Sequence, residues 1–474
     1  MPKRAFRLTT DSPEIEAAFT ELRRQLKVSL DFPEEVLADA EQAARSPRLP
    51  DADETEIPFV TLDPLGSRDL DQAFHFERRG DGYRVRYAIA DVAAFVDPGG
   101  PMDVEAHERG ETLYAPDENA RLYPPVLSEG AASLLPDETR PAVVWTMDVD
   151  ETGEGVDVTV GRALVRSRAQ LDYVTAQQDL DGGTADEQLR LLREVGILRG
   201  QREVRRGGVS LAIPEQVITQ RDGGFGLQFR APLPVEQWNA QISLMTGMAA
   251  AELMLEGDVG LLRTVPVADP ERLERLRLTA KALRVEWPEG VSYPDFIRSL
   301  SPFVARQAAL LIESASLLRG SGYLAFAGDA PEDPVHSALA STYAHTTAPL
   351  RRLVDRYVGE ACVALSAGSE IPAWVRTEFP ALPEVMARSA GRAGQYEAGI
   401  VSIIEAALLA PRVGDTFEAI VVDLSERRGG GVVAIREPAV TARCTGDDLP
   451  LGGRIDVRLQ AADVMQRLVR FEPA

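Results

Sequence analysis

TLDPLGSRDLDQAF, residues 61–74, carries Asp63, Asp69 and Asp71 close together, with Gln72 directly after them. Asp63 ends the apolar run IPFVTLD, which reads as a β-strand, and Asp69 and Asp71 fall in the turn that follows. Carboxylates bunched at a strand end suit a hard divalent cation such as Mg²⁺, which takes oxygen ligands and keeps several waters. A polar loop with a capping aspartate has the same composition. A metal site that has lost a ligand is the third reading, because a glutamine stands where a further acid could be.

Working outward, YRVRYAIADVAAFV and PAVVWTMDVD read as strands, Gly80-Asp81-Gly82 reads as a hairpin, and residues 158–173 continue the strand pattern. Before them, residues 12–47 read as two helices: Ser12 is a candidate N-cap, Pro13 and Glu14 fall in the first turn, and apolar residues follow at helical spacing. A polar, proline-containing stretch, SPRLPDADETE, separates the two regions. Helical periodicity takes over after about residue 184, with a long Met- and Ala-rich helix over 235–256 and further helices over 270–284, 303–317, 349–366 and 383–408. From Val413, five short strand-like runs in about 60 residues fit a small barrel of OB type. The expected class is α+β, with a helical unit over 1–50, a domain of strands followed by helices over 51–408 and an OB barrel over 409–474.

The chain has 474 residues, two cysteines far apart (Cys362 and Cys444) and a net charge of −23. Two cysteines give neither a disulfide framework nor a thiolate zinc site. No apolar run approaches the roughly 20 residues that span a bilayer, and the first residues carry no apolar signal core. The expected setting is the cytoplasm, with no membrane partner. The acidic balance argues against a simple nucleic-acid coat protein, which would need Lys and Arg for phosphate. It leaves room for an enzyme with one basic groove, and Arg202, Arg205 and Arg206, and Arg351, Arg352 and Arg356, do cluster.

TLDPLGSRDLDQAF resembles the signature of the RNase II family, the RNB-domain exoribonucleases, in which T-[IL]-D and a short loop precede D-x-D-D-[AG]. The resemblance continues in register through YAIADVAAFVDPGGPMDVEAHERGETLYAPDENARLYPPVLSEGAASLLPDETRPAVVWTMDVD, and again in HSALASTYAHTTAPLRRLVD. It covers about residues 57–474, and the final barrel sits where the family has an S1-like domain. The resemblance implies Mg²⁺-dependent hydrolysis of RNA from its 3′ end into 5′-mononucleotides, with Mn²⁺ as a substitute ion. It implies metal binding and water orientation by Asp63, Asp69, Asp71 and Gln72, and catalytic roles for Asp69, Asp71, Arg351 and Glu397. Tyr114, Leu211, Arg352 and His345 become the candidate RNA contacts, and His336 reads as structural. A monomer acting on single-stranded 3′ ends is expected.

Four departures from the family pattern stand out. Gln72 replaces the signature's fourth acid, so the cation would be held by one anion fewer. Leu211, in GGVSLAIPE, falls where the family has an aromatic residue, which weakens stacking on the terminal base. An acidic pair of the central helix falls at Ile242-Ser243, which puts ribose 2′-OH reading in doubt. The start is too short for the usual two cold-shock barrels and carries a small helix-turn-helix-like unit instead. These departures motivate a rival expectation, an RNA-binding protein on the same scaffold with weak or no catalysis.

Overall fold

The computed structural model describes residues 8–9, 12–209, 215–221, 224–301, 304–318, 320–329, 331–424 and 429–474. Leu211 lies outside the described residues. Five strands close into a first barrel in the order Phe59–Asp63, Gln72–Arg79, Gly82–Ala90, Thr139–Val149 and Gly155–Asp172. Consecutive strands are antiparallel, and closure comes from Phe59–Asp63 running parallel to the end of the fifth strand, Asp63 beside Asp172. Phe59, Phe74, Phe76, Tyr87 and Trp145 are fully buried in the core around this barrel. The Gly80-Asp81 hairpin forms as expected: Arg79 pairs with Gly82, and Gly80 takes a φ of +59°, a region glycine enters without strain.

Two expected elements are shorter than their sequence pattern. The strand expected through IADVAAFV stops at Ala90 and is followed by one tight helical turn, Val92–Ala94. Asp91 causes the break by turning inward, where its Oδ2 accepts from Arg162 Nε at 2.8 Å. The helix expected over 349–366 begins at Leu353, with Arg352 as its N-cap residue. Pro349 and two aspartates, described below, hold residues 347–352 in a turn.

Helices pack around the first barrel. The central one, Pro234–Glu256, is apolar on several faces, with Ile242, Met245, Thr246, Gly247 and Met254 all buried. Gly247 allows a backbone-to-backbone approach: Ala344 N–H donates to its carbonyl at 2.9 Å, and a Cβ there would stand 2.5 Å from the Ala344 oxygen. The segment leading to Arg351 is thereby fixed on the central helix.

The second barrel follows the helix Leu382–Leu409. Its strand order is Thr416–Leu424, Gly431–Ile435, Val440–Cys444, Leu468–Pro473 and Arg454–Asp463, with Val440–Cys444 parallel to Leu468–Pro473. All five expected runs are present, in the order of an OB barrel. Phe417 and Phe471 meet edge-on inside it.

At the start, helices Pro13–Leu26 and Glu34–Arg45 form as expected. Ser12 sits at the first N-cap without a side-chain hydrogen bond, so the proline in the first turn, and not the cap, favours that start. Among the described residues no helix is long and apolar enough to cross a membrane.

Candidate active site

The acid loop, residues 64–71, is clamped from one side by Ser133 and Leu134. Ser133 Oγ accepts from Leu70 N–H at 3.0 Å and donates to the Arg68 carbonyl at 2.6 Å, while Leu134 N–H donates to the Leu70 carbonyl. The Asp71 carbonyl accepts from Ala90 N–H at 2.9 Å, at the end of the IADV strand. The motifs that run in register after the signature are thus the backbone that shapes its loop.

Asp71 is 2 % exposed. Its Oδ1 accepts from Leu350 N–H and its Oδ2 from Arg351 Nε, both at 2.7 Å. Burial pushes its carboxyl up to about 7, against the pull of Arg351 and the Leu350 N–H. Asp63, at the strand end, accepts no hydrogen bond from a described residue, and burial pushes it up to about 6 although Arg351 lies near. Asp69 Oδ2 accepts from the Tyr114 hydroxyl at 3.0 Å, and Tyr114 as a whole is 48 % exposed.

The Arg351 side chain is 42 % exposed. Burial of its guanidinium opposes the charge, but Asp71 first, then Tyr114 and Asp69, hold it firmly protonated. Only Nε is engaged, so both terminal NH₂ groups lack an acceptor among the described residues. Backbone bonds join this loop to the Tyr114 segment: Thr112 N–H donates to the Arg351 carbonyl at 2.9 Å, and Leu353 N–H to the Gly110 carbonyl at 3.0 Å.

The remaining expected site residues distribute as follows. Arg352 grips the buried Asp355 with two nitrogens, at 2.9 and 2.7 Å, and Asp355 also accepts from Ala348 N–H at 2.7 Å. His345 pairs through Nδ1 with the Tyr323 hydroxyl at 2.7 Å and packs edge-on against Tyr343; burial holds it well below the usual imidazole range. His336 packs against Tyr343, and burial lowers it to about 4. Glu397 is exposed on the helix Leu382–Leu409 and has no hydrogen bond or ion pair with a described residue. Gln72 is turned toward the loop: its amide nitrogen donates to the Thr347 carbonyl, and its oxygen accepts from the Tyr87 hydroxyl at 3.3 Å.

Tyr87, Asp355 and the Leu350 N–H are contributors the sequence reading missed. The i, i+3 spacing of Arg352 and Asp355 was a visible signal for one of them. Tyr87 offered none beyond its place in an apolar strand.

Among the described residues, no three His, Cys, Asp or Glu side chains stand together closely enough to enclose a metal ion. The chemistry of the donor set nevertheless fits a hard cation. Asp63 and Asp71 are carboxylates whose charge is under-compensated where they stand, and Asp63 has no donor among the described residues.

Two family descriptions match the chain: the RNB domain over residues 52–365, and the RNase II-type exonuclease C-terminal S1 domain over residues 415–474. The chain belongs to the RNB-domain, RNase II family. Ribonuclease R of Aquifex aeolicus is 27 % identical over 95 % of this chain and 69 % of its own length. Ribonuclease R of Escherichia coli is 25 % identical over 88 % of this chain and 56 % of its own. Exosome complex exonuclease RRP44 homolog A of Arabidopsis thaliana is 27 % identical over 63 % and 33 %. The chain therefore spans from a third to about two thirds of the length of these RNB relatives. Among solved structures, apo RNase R of Mycoplasma genitalium superposes with a TM-score of 0.86 at 17 % identity, covering 98 % of this chain and 78 % of that one. Yeast Ssd1, described as a pseudonuclease, superposes with a TM-score of 0.73 at 16 % identity, over 97 % and 58 %. At such identities these likenesses show the RNB fold alone.

Proposed function

We propose that this chain is a metal-dependent 3′→5′ exoribonuclease that shortens single-stranded RNA and releases 5′-mononucleotides, acting as a cytoplasmic monomer. The observation that carries the reading is the pairing of Asp71 with Arg351, beside Asp63 and the Asp69–Tyr114 pair. Asp63, Asp69 and Asp71 would hold Mg²⁺ or Mn²⁺, which when bound supplies an activated water and neutralises phosphoryl charge. The two terminal nitrogens of Arg351, without an acceptor among the described residues, suit the scissile phosphate and the charge that grows on it. The half-exposed Tyr114 ring suits stacking on the terminal base, while its hydroxyl fixes the Asp69 carboxylate. The names of the relatives, ribonucleases R and an exosome exonuclease, support the same reaction.

Gln72 favours a second reading, RNA binding with weak or no catalysis. Incubation of 5′-labelled single-stranded RNA with and without Mg²⁺ or Mn²⁺ separates the two. A ladder shortening from the 3′ end, removed by EDTA and by Asp71→Asn, is expected. Tight binding without shortening at any metal concentration would overturn the enzyme.

A further inference from the structure

Two of the departures from the family signature meet in one hydrogen-bond network. The Tyr87 hydroxyl, fully buried, donates to Gln72 Oε1 and lies 2.8 Å from Ser243 Oγ on the central helix. Gln72 stands where the signature has its fourth acid, and Ser243 at one of the two positions where the family has an acidic pair. Here both positions are neutral, and one tyrosine links them.

The other end of Gln72 decides what the residue does. Its Nε2 donates to the carbonyl of Thr347. That carbonyl begins the turn whose Ala348 N–H is held by Asp355, and whose Leu350 N–H and Arg351 side chain are held by Asp71. Gln72 and Asp71 are consecutive, so two neighbouring side chains grip one loop at its start and at its end. A carboxylate at position 72 has no N–H to give, and would set a negative oxygen against the Thr347 carbonyl. The amide nitrogen cannot ligate a cation, and the one neutral oxygen that could already accepts from the Tyr87 hydroxyl.

We propose that Gln72 is a positioning residue that seats the 347–351 turn, and through it Arg351, and is not a metal ligand. This rests on the site acting as a metal-dependent ribonuclease, as proposed above. Tyr87, itself bonded to Ser243, orients the Gln72 amide by holding its oxygen, so the donor faces Thr347. The turn needs a neutral donor at 72, and an added acid there weakens the site.

Two measurements on the full chain test this. The first is calorimetric titration of Mn²⁺ into RNA-free protein, wild type against Gln72→Asp. The Asp variant is expected to bind Mn²⁺ no more tightly than wild type, and its kcat on single-stranded RNA to fall roughly ten-fold with KM little changed. Mn²⁺ bound about five-fold more tightly by Gln72→Asp, as an added anionic ligand would give, overturns the proposal. The second is Tyr87→Phe, which keeps the ring and covers the case in which Gln72→Asp does not fold. It is expected to lower kcat about three-fold with Mn²⁺ affinity unchanged, and to be non-additive with Gln72→Met. An unchanged kcat in Tyr87→Phe also overturns the proposal. A wild type without turnover would overturn the ribonuclease reading instead, and the Mn²⁺ comparison would still decide whether position 72 is a ligand.

Discussion

Arg351 commits Nε to Asp71, and its two NH₂ groups meet no acceptor among the described residues. A lysine cannot divide itself in this way, because one ammonium must serve both the carboxylate and the phosphate. Arg351→Lys is therefore expected to lower kcat by about 100-fold while leaving the melting temperature nearly unchanged; steady-state kinetics beside a thermal melt checks both. The aspartates, Arg351 and Tyr114 were legible in the sequence because each sits in a short ordered motif. The direction in which Gln72 points was not, because its partner Thr347 lies 275 residues away. The sequence also put Arg351 at the start of a helix, whereas Pro349 and the grip of Asp71 hold it in a turn before the helix begins.

The first helix is tied to the site at the level of elements. It buries Ile15, Ala18, Phe19 and Leu22, and Leu22 packs over Gly399 of the helix Leu382–Leu409, where a Cβ would come within 2.7 Å. Arg23 donates to the Tyr396 hydroxyl at 2.9 Å and grips Asp117 with two nitrogens, at 2.8 and 2.6 Å. Asp117 belongs to the loop between Leu113 and Ala120, which carries Tyr114. Arg23→Ala is expected to cost about 2 kcal/mol of stability and to raise KM for RNA by loosening this loop; denaturant unfolding and kinetics read the two effects. The helices themselves were legible from periodicity, but their docking site was not, since a single glycine far along the chain makes room for it.

A second element-level knot joins the helix Pro101–Arg109 to the helix Leu353–Ser366. Burial disfavours the Asp103 charge, but His107, Arg356 and the Gly99 N–H together hold its carboxyl well below the ordinary 3.8. A carboxyl lowered in the folded state contributes stability above its unfolded value, and that contribution is lost as pH falls through the folded one. The gap in melting temperature between wild type and Asp103→Asn is expected to be full at pH 6 and to shrink as pH drops below 4. A gap that does not change with pH would show that the ion pair contributes nothing.

At the scale of the molecule, Glu405 joins three parts. It is buried, and its Oε1 accepts from Gln216 Nε2 at 2.7 Å and from Thr441 N–H of the second barrel at 3.1 Å. Gln216 reaches the same barrel through the Ala439 carbonyl at 2.7 Å. Glu405→Ala removes a shared acceptor from two partly buried hydrogen bonds, at about 0.5–1.5 kcal/mol each. It is expected to lower the calorimetric transition of the second barrel ahead of the RNB domain. The strand runs of both barrels were legible from their alternating pattern, whereas the closure of the first barrel was not, because parallel pairing of Phe59–Asp63 with the strand ending at Asp172 leaves no local mark.

The bond between Asp71 and Arg351 spans 280 residues of chain. At a synthesis rate of ~5–20 residues per second, about 15 to 55 seconds separate the appearance of the acid from that of its arginine. Throughout that interval the nascent chain, still attached to the messenger that encodes it, carries the aspartates without the arginine that pairs with Asp71. A chain cut short before residue 351 therefore carries the aspartates without the guanidinium that Asp71 grips in the folded protein.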